Sequence, residues 1–295
     1  MFGNERIAVV DVERRTDAPP CVRACDSFAR SGSDLDAVRR LKNAKRLARQ
    51  RCTTLLAHGQ YQLLQVEAPD EARDLPREEL REAMRWRVKE MVDFPVDRAG
   101  IDVLEIPVSG GRTSQLWVVA ASHDVLRPRI HLFQDAKARL DAIDIPELAQ
   151  RNLATLFEEE GRGAALVAFD SRERGGGHLT ISHRGELFMA RHIEVSGPEL
   201  AKSSAEALHE RVLLDIQRTL DNFDRNYSAI PLTRLWVGPL PGGEAFVEYL
   251  GANLSLPVVR ANLAEVFDIA AVPALADSAA QAENWLALGA ALRDS

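Results

Sequence analysis

Short β-branched apolar runs alternate with amphipathic segments of helical period along this chain, and the alternation runs through it twice. The first pass opens with Ile7-Ala8-Val9-Val10-Asp11-Val12, short and apolar enough to read as a buried strand. A helix is expected from about Asp34 to Arg51, then strands at Thr53 to Ala57 and Gln60 to Val66. A second helix runs from about Pro76 to Val92, with Leu80, Met84, Val88 and Met91 at helical spacing. Pro76 suits its first turn, and Glu78 and Glu79 suit the positive end of its dipole. Strands follow at Ile101 to Ile106 and Leu116 to Ala121. A helix from about His123 to Leu140 is interrupted near Pro128. A short strand at Ile143 to Ile145 then leads into a helix opened by Pro146-Glu147.

The charged, glycine-bearing stretch from Glu158 to Gly163 separates this pass from the next. Ala164 to Phe169 reads as a strand ending at Asp170, followed by a hairpin of His178 to Ser182 and Leu187 to Val195 across Arg184-Gly185. Glu199 to Tyr227 is the longest helical pattern, and Leu235 to Gly238 and Pro257 to Arg260 are strands around a helix at Glu244 to Leu250. The last helix holds Trp285, Leu288 and Leu292. Two halves of mixed strands backed by helices predict an α/β protein with a cleft between them.

The 37 basic and 44 acidic residues leave a net charge of −7, which disfavours a nucleic-acid protein, since phosphate binding shows as a basic domain. No apolar run has the length of a membrane span, and Met1 to Arg6 lead straight into a strand, so no signal peptide is expected and the chain should stay in the cytoplasm. Cys21, Cys25 and Cys52 are too few for a disulfide framework and have no zinc-ligand spacing, so they are expected to be buried thiols. The seven histidines are scattered, and no metal site or Ser-His-Asp pattern is assigned.

Four segments carry a resemblance. They are Glu79-Leu80-Arg81-Glu82-Ala83-Met84-Arg85-Trp86-Arg87 with its continuation to Pro95, Ile143-Asp144-Ile145-Pro146-Glu147-Leu148-Ala149-Gln150-Arg151-Asn152-Leu153, the hairpin Gly185-Glu186-Leu187-Phe188-Met189-Ala190-Arg191, and Trp285-Leu286-Ala287-Leu288-Gly289-Ala290-Ala291-Leu292-Arg293. Their order and spacing resemble the PilM-like proteins of type IV pilus assembly, most closely those of the MSHA pilus. The resemblance implies an actin-like (ribonuclease H-like) two-lobed fold with mixed sheets flanked by helices. Its first lobe would be residues 1–157, with an inserted subdomain around 53–100, and its second 164–295. It also implies a scaffold rather than an enzyme. Such proteins sit on the cytoplasmic face of the inner membrane and hold the cytoplasmic tail of a PilN-like (MshJ-like) membrane protein, among other pilus components. The cytoplasmic domain of the secretion protein GspL is similar in fold, but this chain lacks the span that follows there.

The same superfamily binds ATP with magnesium, through two phosphate loops and an adenosine segment. Here the first turn reads Asp11-Val12-Glu13-Arg14-Arg15. The glycine that lets backbone approach an anion is missing, and Glu13 repels phosphate. Asp170 is in place, but Ser171 to Arg174 precede Gly175-Gly176-Gly177. At the adenosine segment, Pro239 follows Gly238 and removes a donor. Asp11, Asp170 and Gly238 are therefore expected to mark a degenerate nucleotide site. The alternative is an active ATPase or kinase of the superfamily. A nuclease on the related core would need an electropositive face, which the acidic balance disfavours. For the partner, the candidates are Trp86 with Arg85 and Arg87, because Trp and Arg dominate binding hot spots. A packing Trp is the other reading. The basic stretch from Arg39 to Arg51 is read first as a solvated helix face, with contact to anionic lipid as the alternative.

Overall fold

The computed structural model describes residues 1–2, 6–29, 32–43, 51–69, 75–107, 114–172 and 175–293. In chain order its strands and helices are β1 (Arg6–Glu13), β2 (Cys21–Ala29), α1 (Asp34–Asn43), β3 (Cys52–Leu55), β4 (Gln62–Glu67), α2 (Arg77–Arg87), β5 (Ala99–Ile106), β6 (Gln115–Ser122), α3 (His123–Asp135), β7 (Leu140–Asp144) and α4 (Pro146–Ala154). There follow β8 (Gly163–Phe169), β9 (Gly177–His183), β10 (Glu186–Ile193), α5 (Gly197–Leu200), α6 (Glu206–Tyr227), β11 (Leu232–Val237), α7 (Glu244–Asn253), β12 (Val258–Arg260), α8 (Leu263–Val266) and α9 (Ser278–Ala291).

These elements form two compact units, Met1–Ala29 with Pro146–Ser295, and Arg30–Ile145. The first is built on a five-stranded sheet of order β10-β9-β8-β11-β12, parallel where β11 joins β8 and β12, antiparallel across β9. Every residue of β8 is buried, as a central strand covered on both faces requires. Leu166 of β8, Leu153 of α4 and Trp285 and Leu288 of α9 share one apolar cluster. Val22 of β2 belongs to it too, with Val10, Val12 and Cys25 packed against it. Backbone bonds fasten the hairpin further, from Val22 N–H to Asp268 O (2.9 Å) and from Asp268 N–H to Pro20 O (2.9 Å). Arg15 pairs with Asp268 and Arg6 with Glu283 at its two ends.

Polar side chains lock α4 between the sheet and α9. Gln150 Nε2 donates to Leu166 O (2.9 Å) and His178 O (2.8 Å), and Asn152 Nδ2 to Gly289 O (3.0 Å). A Cβ on Gly289 would lie 2.1 Å from Ala149 O, so only glycine permits this helix crossing. Two of the segments that carry the family resemblance are thus packed against each other.

In the second unit, β4, β6 and β5 form an antiparallel sheet in that order, and β3 pairs in parallel with β7. Leu80 and Met84 of α2, with Val88 beyond it, pack into a cluster with Val66, Ile101, Val103, Leu116 and Val118 of the sheet.

Several expectations need correction. α3 runs unbroken through Pro128. The helix expected from Glu199 to Tyr227 is two, α5 and α6, separated by turns at 201–204. Met91 is 49% exposed and lies outside the α2 core stripe. Strand β2 was not expected. The expected division at 158–163 falls inside the first compact unit, because the hairpin β1-β2 packs on α9 and the C-terminal cluster. Of the basic stretch, α1 ends at Asn43, and residues 44–50 lie outside those described.

Candidate functional site

Asp170 and Gly238 come together at the carboxyl ends of the adjacent parallel strands β8 and β11, where open α/β sheets place their ligand crevices. The loop after Asp170 curls back on it. Asp170 N–H donates to Gly176 O (2.8 Å), Gly197 N–H donates to Asp170 O (2.9 Å), and Gly176 takes φ +71°. A Cβ on Gly175 would fall 2.2 Å from the Asp170 side chain, and one on Gly177 2.5 Å from the Phe169 ring. The glycine triplet is thus what this tight reversal needs.

The Asp170 carboxylate is held by its own loop. Oδ1 accepts from the Arg172 backbone N–H (2.9 Å) and Nε (2.8 Å), and Oδ2 from Nη2 of the same guanidinium. The bond to Asp170 also raises the pKa of Arg172, holding it protonated. Gly238 has a packing role. Its N–H donates to Val167 O (2.7 Å), and a Cβ there would lie 2.7 Å from Ala168 Cβ. Asp11 does not end its strand. It lies within β1 opposite Ala24, just before a bulge, and β1 continues to Glu13. Glu13 is paired with Arg23 (2.5 Å), which lowers its pKa, while Arg14 donates to Leu292 O (3.1 Å). The Asp170 carboxylate is thus committed to a guanidinium, and Glu13 in the first turn to an ion pair, at a position where a phosphate loop needs glycine.

Gln150, His178 and Trp285, which the sequence reading did not single out, line a small cavity with Asp170. The resemblance segments around Gln150 and Trp285 hinted at those two without showing that they meet, and His178 lies in none of them. Two of the free thiols, Cys25 and Cys52, are kept neutral. Burial, helped by Glu283, raises the pKa of Cys25 to about 11, and burial beside Asp141 does the same for Cys52. Among the described residues no group of acidic, His or Cys side chains is arranged to hold a metal.

The second candidate surface is at the end of α2. Trp86 is 64% exposed, with Lys89 Nζ 5.6 Å from its ring centroid. Met91 is exposed nearby in sequence, and Arg87 is half-exposed, 3.8 Å from Glu67. Arg85 does not belong to this face. Its side chain is 19% exposed, donating to Val96 O (2.6 Å) and Ala99 O (2.8 Å) and pairing with Glu82. It ties α2 to the turn before β5.

No protein-family model matches the chain, and no curated protein matches it. Solved structures do. A chain of the structure described as the PilM-PilN type IV pilus biogenesis complex superposes with a TM-score of 0.72 at 18% identity, over 99% of this chain and 96% of that one. The cytoplasmic domain of EpsL, an inner-membrane component of the type II secretion system of Vibrio cholerae, matches at 16% identity with a TM-score of 0.45, over 79% of this chain and 81% of its own. The ethanolamine utilization protein EutJ from Carboxydothermus hydrogenoformans matches at 12% identity with a TM-score of 0.41, over 96% and 90%. The fold is the α/β, actin-like one. Among the described residues no helix is long and apolar enough to cross a membrane.

Proposed function

We propose that this chain is a scaffold of a type IV pilus assembly complex, of the MSHA type and akin to MshI. It acts on the cytoplasmic face of the inner membrane and binds the cytoplasmic tail of a PilN-like (MshJ-like) membrane protein without catalysis. The likeness over nearly the whole chain to a structure described as a PilM-PilN complex supports the class of partner. The observation that carries the reading is Trp86, a large side chain left exposed although its helix has a core to serve. An exposed Trp with cationic neighbours is the usual chemistry of a binding hot spot. The edge strand β4 belongs to the same unit, and an extended tail docks most simply by adding to such an edge. The nucleotide site of the superfamily is, in this reading, vestigial.

The experiment has two stages. The tagged protein should first recover a PilN-like protein as the main hit from membranes. A synthetic peptide of that protein's cytoplasmic tail is then titrated into wild type and Trp86→Ala. The substitution should weaken binding by about 2 kcal/mol or more, while stability changes by no more than about 0.5 kcal/mol. Unchanged affinity in a folded variant would remove Trp86 from the interface. Recovery of no pilus membrane protein would remove the function itself.

A further inference from the structure

Gln150 on α4, His178 on β9 and Trp285 on α9 come from three elements, yet line one cavity with Ala168, Asp170 and Arg172. Each carries a buried polar atom without a hydrogen-bond partner among the described residues: Gln150 Oε1, His178 Nδ1 and Trp285 Nε1. The orientation of the Gln150 amide is fixed, because its Nε2 already serves Leu166 O, His178 O and Thr180 Oγ1. What remains on Gln150 is an acceptor, and what Trp285 offers is a donor. His178 Nδ1 lies 3.7 Å from Glu147 Oε1, beyond hydrogen-bond length. Leaving such groups unsatisfied in the interior is costly, and proteins rarely do so.

The cavity volume of about 30 Å³ decides the size of the occupant. At roughly 10–15 Å³ per water on this measure, it takes one or two waters. The lining holds two carboxylates, of Asp170 and Glu283, and the Arg172 guanidinium that pairs with Asp170. An occupant that satisfies both groups accepts from an indole N–H and donates to an amide oxygen, which water does.

We infer that this cavity is a built hydration site, whose one or two ordered waters link Trp285 Nε1 to Gln150 Oε1. The waters join α9, α4 and the sheet at the junction that the direct bonds of Gln150 and Asn152 also hold. The Asp170–Arg172 pair lies in the same lining.

The test uses the ¹⁵N-labelled full chain, whose four tryptophans give four indole N–H signals. Trp285→Phe, or sequential assignment if that variant does not fold, identifies the signal of interest. A water-selective nuclear Overhauser experiment should show direct transfer from long-lived water to the Trp285 indole. The transfer should be lost in Gln150→Met, which removes the acceptor. A high-resolution crystal structure should show solvent density within about 3 Å of each of the two atoms, as one peak or two in contact. No transfer and no peak in the wild-type protein would overturn the inference. So would a transfer that survives unchanged in a folded Gln150→Met. If that variant does not fold, the crystallographic peak alone decides.

Discussion

At the scale of single residues, neighbours decide the use of a charge. Asp170 directly follows β8, where a remnant of a phosphate site was expected from the sequence, but both its oxygens are engaged by Arg172 and its side chain is only 12% exposed. Admitting magnesium there means displacing a bidentate guanidinium, a strong and geometrically specific partner. Magnesium ATP at millimolar concentration should therefore leave the melting temperature unchanged. A ligand at a hundred times its Kd would add about 2.7 kcal/mol, a shift of several degrees for a domain of this size. Such a shift, abolished by Asp170→Ala, would show the site working after all. The two arginines that flank Trp86 make the same point. Arg85→Ala should cost about 1–3 kcal/mol in urea unfolding, because two backbone carbonyls lose their donor. Arg87→Ala should stay within about 0.5 kcal/mol. Equal losses would mean that the two side chains are used alike. The sequence alone presents two equivalent arginines, since which of them reaches the Val96–Ala99 turn depends on how α2 lies on its sheet.

Between elements, α4 and α9 cross with Gly289 pressed against the backbone of Ala149. The Cβ introduced by Gly289→Ala would meet the Ala149 carbonyl oxygen, which is backbone and cannot swing aside, so the helices must separate. The expected loss is about 1–3 kcal/mol in chemical denaturation, larger than helix propensity alone could offset, since alanine is intrinsically the better helix former. A stabilised variant would show that the helices have room to spare. The WLALG segment was legible as a motif, but its glycine acquires meaning only once α4 lies across it. Other elements divide along the same line. α2 and α6 were legible because their apolar periods are long, and β8 because it is uniformly apolar. β2 was not, since Cys21–Ala29 mixes charged and small residues along a strand that is only partly buried. α3 was expected to be interrupted near Pro128, yet it runs on through that proline, giving up the one hydrogen bond that position 128 would donate to Asp124. The exposed position of Met91 was hidden by a spacing that matches the core stripe, although the helix ends at Arg87 before the period reaches it.

For the molecule as a whole, the largest departure from the sequence reading is the partition of the chain. A division near 158–163 treats the C-terminal half as self-sufficient, whereas its compact unit borrows Met1–Ala29. Ile7 and Val22 are almost fully buried, and Val10, Val12 and Cys25 pack on the cluster around Trp285 and Leu288. Burying two such side chains is worth about 1.5–3 kcal/mol each, a large part of a typical stability of about 5–15 kcal/mol. The Asp268 backbone bonds and the ion pairs of Arg6 and Arg15 are lost with the hairpin as well. Residues 146–295 expressed alone should therefore lack a cooperative melting transition and bind a hydrophobic dye. Adding a peptide of residues 1–29 should restore the transition, because the hairpin returns the missing cover without a covalent link. Residues 30–145 carry their own apolar cluster between α2 and the β4-β6-β5 sheet, and should melt cooperatively when expressed alone. Circular dichroism melts of the three samples decide the matter. If residues 146–295 melt cooperatively and the peptide raises their melting temperature by nothing measurable, the hairpin is an attachment rather than part of that core, and the boundary belongs where the sequence placed it.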